Sequence, residues 1–457
     1  MPIQLDVYKH KNKEAGEVEE WLCLKIQWIN SDNQIVFCPR TLKELMLNTK
    51  KIILKIGQWE KELNVGEDET YSSEMIGIPL SISKIFSLPT MLNYEVKING
   101  RTIMLGPIIG MIATRKQMNP QKLNKFLSRF KDYQKINGLV YIFSASGVNQ
   151  EDRTIKGYYY NPKGAHGCFW EEGIFPYPAV LYKRIPIKKS TYKHLKAVIG
   201  EDHIFNSYHF SKWELWDLLP KDAEAKSLLP YTEKFIRLEQ VERFTRKYRT
   251  VYLKPQSGSG GVGIKSIQKD EIGYRLIEHF SKIEYFNKIE DLWDRIKPFT
   301  KRGYIIQQGV EGGIHKCHVD FRAYLQKNEL KEWECPLIIT RFSKENEIST
   351  NLKYLDQLCI GKEGIQKLFD LNEAETIQLE TKMMEACARL CKDLDTYVGN
   401  YGDLAIDMMV DRDKNIWIIE VNTKTYGYAS FRKLNNPDLF IKCKTTPFLY
   451  AKALSGF

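Results

Sequence analysis

The sequence predicts an α/β protein with a β-rich N-terminal part. Three features lead to this prediction: β-rich segments up to residue 105, alternating strand and helix patterns over residues 106–218, and a glycine-rich loop with an acidic strand pair in the remainder. At 457 residues, the chain exceeds what one hydrophobic core usually supports. We therefore expect a β-rich domain over residues 1–105, a small α/β domain over 106–218 and a larger domain over 219–457.

The composition is that of a soluble globular protein, with 43% hydrophobic and 27% charged residues. No run approaches the roughly 18 apolar residues of a membrane-spanning helix, and the N-terminal segment lacks the apolar core of a signal peptide. We therefore expect a cytoplasmic protein that makes no use of a membrane.

The formal net charge is +11, but lysine and arginine are spread along the chain rather than gathered in one arm. This spread argues against a nucleic-acid partner. It leaves open a generally basic surface or a positive cleft for a polyphosphate or acidic ligand. The nine scattered cysteines form no CxxC pair, which indicates reduced thiols. Cys387 and Cys391 share a helical face, and core packing is favoured there over metal binding.

The N-terminal part contains strand-like segments such as WLCLKIQWI and KIILKIG between polar turns. In YEVKINGRTIML, Asn99-Gly100 predicts a tight hairpin, because this dipeptide readily adopts positive φ angles. A small barrel fits this pattern. From Gly106, a predicted helix in NPQKLNKFLSRFKDYQKI precedes the strands GLVYIFSAS and PAVLYKRIP, an alternation typical of an open sheet with parallel strands.

A glycine-rich loop follows the predicted strand at 251–255. It consists of Gln256, Ser257, Gly258, Ser259, Gly260, Gly261, Val262 and Gly263. Its backbone N–H groups can approach phosphates. The loop matches G-x-G-x-x-G, but residues 264–267 resemble a strand and not the helix of a dinucleotide fold. A Walker motif fails too, because Ile264 separates Gly263 from Lys265. A phosphate-covering hairpin is the functional hypothesis, and a mobile surface loop is the alternative.

An acidic strand pair is predicted over residues 403–422, with a turn at 411–415. Pairing of these strands would bring Asp407 opposite the segment with Glu420 and Asn422. Two carboxylates and an amide oxygen are hard ligands that suit Mg²⁺, with water and substrate phosphate completing the octahedron. The alternative is that Asp407 begins a turn and Glu420 faces solvent.

These motifs follow the order found in the ATP-grasp superfamily: Tyr-Leu-Lys-Pro with the glycine loop, Tyr-Ile-Ile-Gln-Gln at 304–308, Asp-Phe-Arg at 320–322, and Asp407 with Glu420-x-Asn422. The chain more closely resembles the YheC/YheD family of endospore coat-associated ATP-grasp proteins, through LGPIIGMIATR, LYKRIP, IFNSYHFSKWELWDLL and LPYTEKF. This resemblance spans nearly the whole chain. It implies an α+β ATP-grasp fold for residues 219–457, a pre-ATP-grasp α/β domain before it, ATP and Mg²⁺ as cofactors, and association with spores.

The resemblance also implies roles for individual residues. Lys212 and Lys254 would contact ATP phosphates, and the loop residues Ser257, Gly258, Ser259, Gly260, Gly261 and Gly263 would cover them. Gln307, Gln308 and Val310 would hold the adenine, with an ordinary buried strand as the alternative. Asp407, Glu420 and Asn422 would hold the metal ion.

Asp320 and Arg322 match the D-x-R pattern of amino-acid-ligating members of the superfamily. Arg341 and Asn351 resemble a later arginine and asparagine near the transferred phosphoryl group. The resemblance thus implies that Asp320 and Asn351 bind ATP and that Arg322 and Arg341 are catalytic. An arginine fork suits a developing acyl phosphate, and a surface salt bridge is the alternative for either arginine.

Two segments depart from the pattern of the superfamily. The segment after Asn422 lacks the small, proline- or glycine-rich substrate loop of many relatives, and the Gly-Gly that usually follows Asn351-Leu352 is missing. Acceptor recognition is therefore not carried over from these relatives. His315-x-Cys317-His318 has no distant fourth ligand, so a structural role is favoured there over a metal site.

The implied reaction is ATP-dependent ligation of a carboxylate to an amine through an acyl phosphate, on an amino acid or peptide-like substrate. Metal and cationic side chains can neutralise the transferring phosphoryl group, so no nucleophilic side chain is required. Two other classes stay open: a spore-associated structural or binding protein that keeps the fold without turnover, and a basic nucleic-acid-binding protein. The complete set of Lys254, Asp407, Glu420 and Asn422 weighs against a degenerate fold, and the scattered charge weighs against nucleic acid.

Overall fold

The computed structural model describes residues 8–11, 18–164, 166–258, 260–279, 282–312, 317–345, 347–350, 354–424 and 434–457. The chain divides into two compact units. The first comprises residues up to 207, together with 327–332 and 441–457, and the second comprises 208–326 and 333–440. The three-domain division at residues 105 and 218 stays a prediction. In the structure, residues 441–457 belong to the first unit and not with the segment that precedes them.

The first unit begins with an eight-stranded sheet. Its elements are β1 (Tyr8–Lys11), β2 (Val18–Ile29), β3 (Gln34–Phe37), α1 (Pro39–Glu44), β4 (Lys51–Ile56), β5 (Trp59–Glu67), β6 (Met75–Pro79), α2 (Leu80–Ser83), β7 (Tyr94–Asn99) and β8 (Thr102–Gly106). The strand order is β1-β2-β6-β3-β5-β4-β8-β7, and β2 also pairs with β7. Seven strands thus close into a ring, which is the pairing pattern of a small barrel. Alternate residues of β4 point inward, and Ile52, Leu54 and Ile56 are fully buried.

The predicted hairpin is formed by β7 and β8. Asn99 pairs with Thr102, so the loop consists of Gly100 and Arg101, one residue later than predicted. Gly100 has a φ of +58°, which glycine adopts without steric cost.

The second sheet of this unit is mixed. Its elements are β9 (Ile108–Ile112), α3 (Pro120–Leu123), α4 (Tyr133–Ile136), β10 (Leu139–Asn149), β11 (Thr154–Tyr160), β12 (Trp170–Pro176), β13 (Val180–Lys183), α5 (Lys189–Ile199) and β14 (Ile204–Phe205), with short 3₁₀ helices at Arg115–Gln117 and Asn124–Arg129. The order is β12-β11-β10-β9-β13-β14. The parallel pairing predicted for this region is present among β10, β9, β13 and β14, whereas β11 and β12 are antiparallel.

The helical stretch predicted over residues 119–136 is helical over most of its length but is not one continuous helix. It is broken into two short α-helices around a 3₁₀ helix, and Phe130 leaves helical geometry with φ −117° and ψ 12°. Its ring stacks on Tyr160 at 4.6 Å between centroids and packs edge-on against Trp170. Tertiary packing of an aromatic ring therefore overrides the local helical pattern.

The second unit contains two further sheets. The first part of the unit has α6 (Lys212–Leu218), β15 (Thr232–Lys234), α7 (Leu238–Lys247), β16 (Thr250–Pro255), β17 (Lys265–Lys269), β18 (Tyr274–His279), β19 (Lys282–Phe286), α8 (Ile289–Ile296) and β20 (Tyr304–Gln308), with 3₁₀ helices at Lys226–Leu228 and Lys297–Arg302. Strands β15 to β20 form an antiparallel sheet in the order β15-β20-β16-β17-β18-β19. Its core includes Phe244 of α7 and Leu292 of α8.

The remaining elements are β21 (Val319–Lys327), β22 (Trp333–Ser343), β23 (Leu355–Ile360), α9 (Gly361–Phe369), α10 (Glu373–Tyr397), β24 (Asp403–Val410), β25 (Ile416–Asn422) and α11 (Pro437–Leu454). The sheet order is β23-β22-β21-β24-β25. Helix α10 begins with a capping box between Asn372 and Glu375 and buries a stripe with helical spacing that includes Cys387 and Cys391. The predicted core role of these two cysteines is confirmed, because both side chains are fully buried.

Within the described ranges, no helix combines the length and apolar character that crossing a membrane requires.

Candidate functional site

A cleft lies in the second unit between the sheet of β15–β20 and the sheet of β21–β25. Most of the predicted site residues line it: Lys212, Lys254, Gly258, Gly261, Gln307, Gln308, Val310, Asp320, Arg341, Asp407 and Glu420. Other predicted residues lie next to it. Ser257, Gly260 and Gly263 belong to the adjoining loop, while Arg322 and Asn422 contact Asp407. Ser259 and Asn351 lie outside the described residues.

Lys254 is a buried lysine held by an amide. Its side chain is only 7% exposed, and Nζ donates to Oε1 of Gln307 at 2.6 Å. The Gln307 amide in turn donates to Thr232 Oγ1 at 2.9 Å, which fixes its orientation. Burial lowers the pKa of Lys254 to about 8, with the nearby Lys212 adding to the decrease and Glu420 opposing it. A desolvated ammonium with a neutral partner gains strongly from an incoming anion.

Lys212 bridges the two walls of the cleft. It is the first residue of α6, after the N-cap Ser211, whose hydroxyl accepts from the Glu214 backbone N–H. Its Nζ lies 2.9 Å from Glu420 Oε1 and 3.4 Å from the carbonyl oxygen of Gly258. The Lys212 backbone N–H also donates to Gln256 O at 3.0 Å. One lysine therefore contacts both the glycine loop and a carboxylate of the facing sheet.

The glycine loop connects the antiparallel strands β16 and β17, so the predicted strand–loop–strand arrangement is confirmed. Four of its glycines, Gly258, Gly260, Gly261 and Gly263, have φ values of +148°, +73°, +69° and +80°. Side chains rarely tolerate this backbone region, and glycine adopts it readily. Val262 in the loop is 79% exposed. The loop thus presents backbone, and few side chains, at the cleft.

Two arginines and two aspartates form a network on the opposite wall. Arg341 donates to Asp320 through two bonds of 2.6 and 2.7 Å, and Thr350 Oγ1 donates to the same carboxylate at 2.5 Å. Arg322 makes the same two-pronged contact with Asp407, at 2.7 Å for each bond. Arg341 Nη2 joins the two pairs, at 3.3 Å from Asp407 Oδ1. These are largely buried charge-assisted bonds and not the surface salt bridges considered as the alternative.

Strand register places Asp407 and Glu420 side by side on adjacent strands, and we call this pair the carboxylate row. Asp407 of β24 lies opposite Arg322 of β21 on one side and opposite Glu420 of β25 on the other. The predicted hairpin is therefore confirmed, including the alignment of Asp407 with Glu420. Burial acts to raise the pKa of Asp407, but Arg322 and Arg341 hold it below the usual range of a carboxyl group. Asp407 stays ionised at neutral pH.

The donor set of this row fits a hard divalent cation. Asp407, Glu420 and the amide of Asn422, whose Nδ2 lies 3.5 Å from Asp407 Oδ2, supply oxygens on two adjacent strands. In the described residues there is no group of three or more His, Cys, Asp and Glu side chains suited to a metal ion. A magnesium ion here would thus combine two carboxylates and one amide with oxygens from water or phosphate, as Mg²⁺ prefers.

Several cleft residues were missed by the sequence motifs. Tyr252, His318 and Met409 line the cleft. Each is two residues from a predicted site residue, namely Lys254, Asp320 and Asp407, and the period-two alternation of a strand could have found all three. Burial lowers the pKa of His318, which favours the neutral imidazole. Ile419 has no such signal, because it reaches the cleft through a register shift between Asp407 and Met408.

Two sheets that enclose a glycine loop, two lysines and an arginine–carboxylate network define an ATP-grasp fold. A family model described as YheC/D-like ATP-grasp matches residues 201–454, more than half of the chain. The chain belongs to this YheC/D-like ATP-grasp family.

Two proteins of Bacillus subtilis (strain 168) are similar to this chain. Endospore coat-associated protein YheD is 26% identical over 388 residues, which cover 80% of this chain and 83% of YheD. Endospore coat-associated protein YheC is 22% identical over 219 residues, which cover 47% of this chain and 59% of YheC. Among solved structures, the ATP-grasp ligase PsnB, complexed with a phosphomimetic variant of minimal precursor, Mg and ADP, has a TM-score of 0.43 and 15% identity over 75% of this chain and 98% of PsnB.

Proposed function

We propose that this protein is an ATP-dependent carboxylate–amine ligase. The observation that carries the proposal is the convergence of Lys212, Lys254 and Arg341 with the glycine loop and the Asp407–Glu420 pair in one cleft. A carboxylate oxygen of the substrate attacks the γ-phosphorus of ATP, and the bond to the bridging oxygen breaks to release ADP. The amine then attacks the acyl carbon, the bond to phosphate breaks, and the nitrogen loses a proton.

The side chains support this chemistry through charge and position. Lys254 and Lys212 would pair with ATP phosphates, and the glycine loop would cover them with backbone N–H groups. The segment from Gln307 to Val310 would contact the base. Arg341 lines the cleft and would stabilise the transferring phosphoryl group, a role that preorganised cations fill well in a water-poor site. Arg322 does not belong to the lining residues of the described cleft, so it would act by holding Asp407.

The metal site is part of the proposal. Asp407, Glu420 and Asn422 would hold Mg²⁺, which supplies Lewis-acid neutralisation of phosphate charge. Asp407 is fixed by two bonds from Arg322, and Glu420 is paired with Lys212. Positive charge already lies against each of the two carboxylates in the structure.

The substrate is proposed to be an amino acid or a peptide-like molecule, because Asp320-Phe-Arg322 matches the pattern of amino-acid-ligating members. The two Bacillus subtilis relatives are named as endospore coat-associated proteins. We infer a cytoplasmic enzyme that is associated with spores.

The experiment is a phosphate-release screen of the purified protein with ATP, Mg²⁺, amino acids and short peptides. We expect phosphate release that requires both a carboxylate donor and an amine acceptor, and a product mass equal to the two substrates less one water. Lys254→Met serves as the inactive control. ATP binding without phosphate release for any pair would favour a nucleotide-binding spore protein without turnover. If the purified protein bound no ATP, both the ligase proposal and the alternative of a nucleotide-binding protein without turnover would be wrong.

A further inference from the structure

The two ends of the glycine loop are attached to two consecutive residues, one end to Gly303 and the other to Tyr304. The backbone N–H of Gln256, where the loop begins, donates to the carbonyl oxygen of Gly303 at 2.9 Å. The hydroxyl of Tyr304 donates to the carbonyl oxygen of Gly263, where the loop ends, at 3.1 Å. The first attachment is a backbone bond that any residue could make. The second depends on one side-chain oxygen.

Tyr304 is itself held in place. It is the first residue of β20, pairs with Pro255 of β16 and is 9% exposed. Its ring lies 4.8 Å from that of Phe299 between centroids. The space above the hydroxyl is limited, because a Cβ added at Gly263 would lie 2.8 Å from the Tyr304 oxygen and 3.1 Å from Pro255 Cγ. The hydroxyl therefore sets the position of the loop exit against a rigid support.

The same strand leads directly to the other proposed nucleotide contacts. Strand β20 runs from Tyr304 to Gln308, and Gln307 both lines the cleft and holds Lys254. An anchor at Tyr304 thus fixes the loop relative to the segment proposed to contact the base. Without the anchor, the exposed loop would lose its only described side-chain bond to β20 at its exit.

We propose that Tyr304 is a positioning residue for the ATP phosphates, acting through the carbonyl of Gly263. This inference rests on the proposed function, because it takes the glycine loop as the phosphate cover. The competing role is simple packing of the aromatic ring against Phe299. Tyr304→Phe separates the two roles, since the ring and its packing remain while the bond to Gly263 is lost.

The test compares parent, Tyr304→Phe and a control, Tyr285→Phe, whose side chain lies on β19 at the far edge of the same sheet and is 71% exposed. Calorimetry measures the binding of ATP and of AMP, which lacks the β- and γ-phosphates. Hydrogen exchange measures protection of loop residues without nucleotide. Loss of one hydrogen bond predicts ATP affinity weakened by about three- to tenfold, with AMP affinity unchanged. Exchange in the loop should become faster in Tyr304→Phe and stay parental in the control.

Two results overturn this inference alone: parental ATP affinity and loop exchange in Tyr304→Phe, or an equal loss of ATP and AMP affinity, which would indicate a defect outside the phosphate cover. A parent protein that binds no ATP overturns the proposed function and this inference with it. The melting temperatures of the two variants show whether the packing of Tyr304 survives.

Discussion

Two buried groups of opposite charge in the cleft both have lowered pKa values, for different reasons. Lys254 is desolvated beside a neutral amide, so its charged form is disfavoured. Asp407 is equally buried, but two arginines face it and favour its charged form. Asp407 therefore has two positive charges beside it, whereas the direct hydrogen-bond partner of Lys254 is neutral. An incoming phosphate would therefore stabilise the charged form of Lys254 more than it would stabilise any group that is already paired.

We expect Lys254→Met to remove a pH-dependent cost of folding. The pKa of this lysine falls from 10.5 in the unfolded chain to about 8 in the fold. Between these values the unfolded chain holds more protons, so parental stability should rise with pH from 8 to about 10.5, and the cost is constant below 8. The shift corresponds to roughly 3 kcal/mol in the free energy of unfolding. Urea unfolding of parent and variant across this window measures the difference.

The same variant should lose ATP affinity even though its fold is more stable. Parental ATP affinity should fall by about tenfold per pH unit above pH 8, because Lys254 then has to take up a proton from solvent when the phosphate binds. Lys254→Met should bind weakly and without this dependence. Lys269→Met, an exposed lysine on β17, is the control and should match the parent in both respects. Parallel pH profiles for parent and Lys254→Met would remove Lys254 from the site.

Glu420→Gln should raise the magnesium requirement of ATP turnover. Glu420 contributes an anionic oxygen in the row with Asp407, and loss of its charge weakens retention of a hard cation. High Mg²⁺ should restore part of the activity by mass action. Asn422→Ala should also lower activity. Turnover measured against Mg²⁺ concentration gives the comparison, with melting temperature as the folding control.

Glu363→Gln on α9 is the matched exposed substitution and should keep the parental magnesium curve. The metal assignment of Glu420 is wrong if Glu420→Gln keeps that curve as well.

At the level of elements, the two ends of the glycine loop are attached to Gly303 and Tyr304, and its glycines have positive φ angles that few other residues adopt. Gly260 and Gly263 have similar φ values of +73° and +80°, but their surroundings differ. A Cβ at Gly260 meets no described atom within 4 Å, whereas one at Gly263 meets the Tyr304 hydroxyl. The two positions therefore allow backbone strain to be separated from displacement of the anchor.

We expect Gly263→Ala to weaken ATP binding more than Gly260→Ala. Each alanine pays a left-handed backbone cost of about 1 kcal/mol. Only the alanine at 263 also pushes the Tyr304 hydroxyl away, which should add a further loss of about threefold or more in ATP affinity. Calorimetric ATP affinities of the two variants decide between them. Equal affinities would show that backbone strain alone governs the loop.

At the level of the whole molecule, the C-terminal helix contributes to the core of the first unit. Phe448 and Tyr450 of α11 are buried, and the Phe448 ring lies 5.0 Å from that of Phe130 and 5.8 Å from that of Tyr182. Lys452 Nζ also lies 2.5 Å from Glu95 Oε1 in the same unit. The last residues of the chain thus help to stabilise residues near its beginning.

Phe448→Ala should therefore destabilise the first unit, by about 3–5 kcal/mol for a large buried ring. Hydrogen exchange should accelerate in residues 18–207, while residues 208–326 and 333–440 keep their protection. The reciprocal variant is Leu390→Ala in α10, which is fully buried in the second unit and should accelerate exchange there instead. Matching exchange patterns in the two variants would contradict the division into two units.

Sequence alone determined much of the site because its chemistry depends on local order. The lysine before the glycine loop, the Asp-x-Arg pair and the acidic hairpin each lie within a few neighbouring residues. Strand alternation and turn formation are local properties, so the facing of Asp407 and Glu420 could be predicted. The order of the motifs along the chain led to the family resemblance, which implied roles for the individual residues.

Tertiary structure decided what depends on distant contacts. Two contacts join residues whose spacing in the sequence carries no signal: the pairing of Arg341 with Asp320 and the bond from Tyr304 to Gly263. The register shift that brings Ile419 to the cleft has no sequence signal either. The broken helix at Phe130 and the return of α11 to the first unit have the same origin. In each case, packing and charge pairing across the fold outweigh local preference, and these terms exist only once the chain is folded.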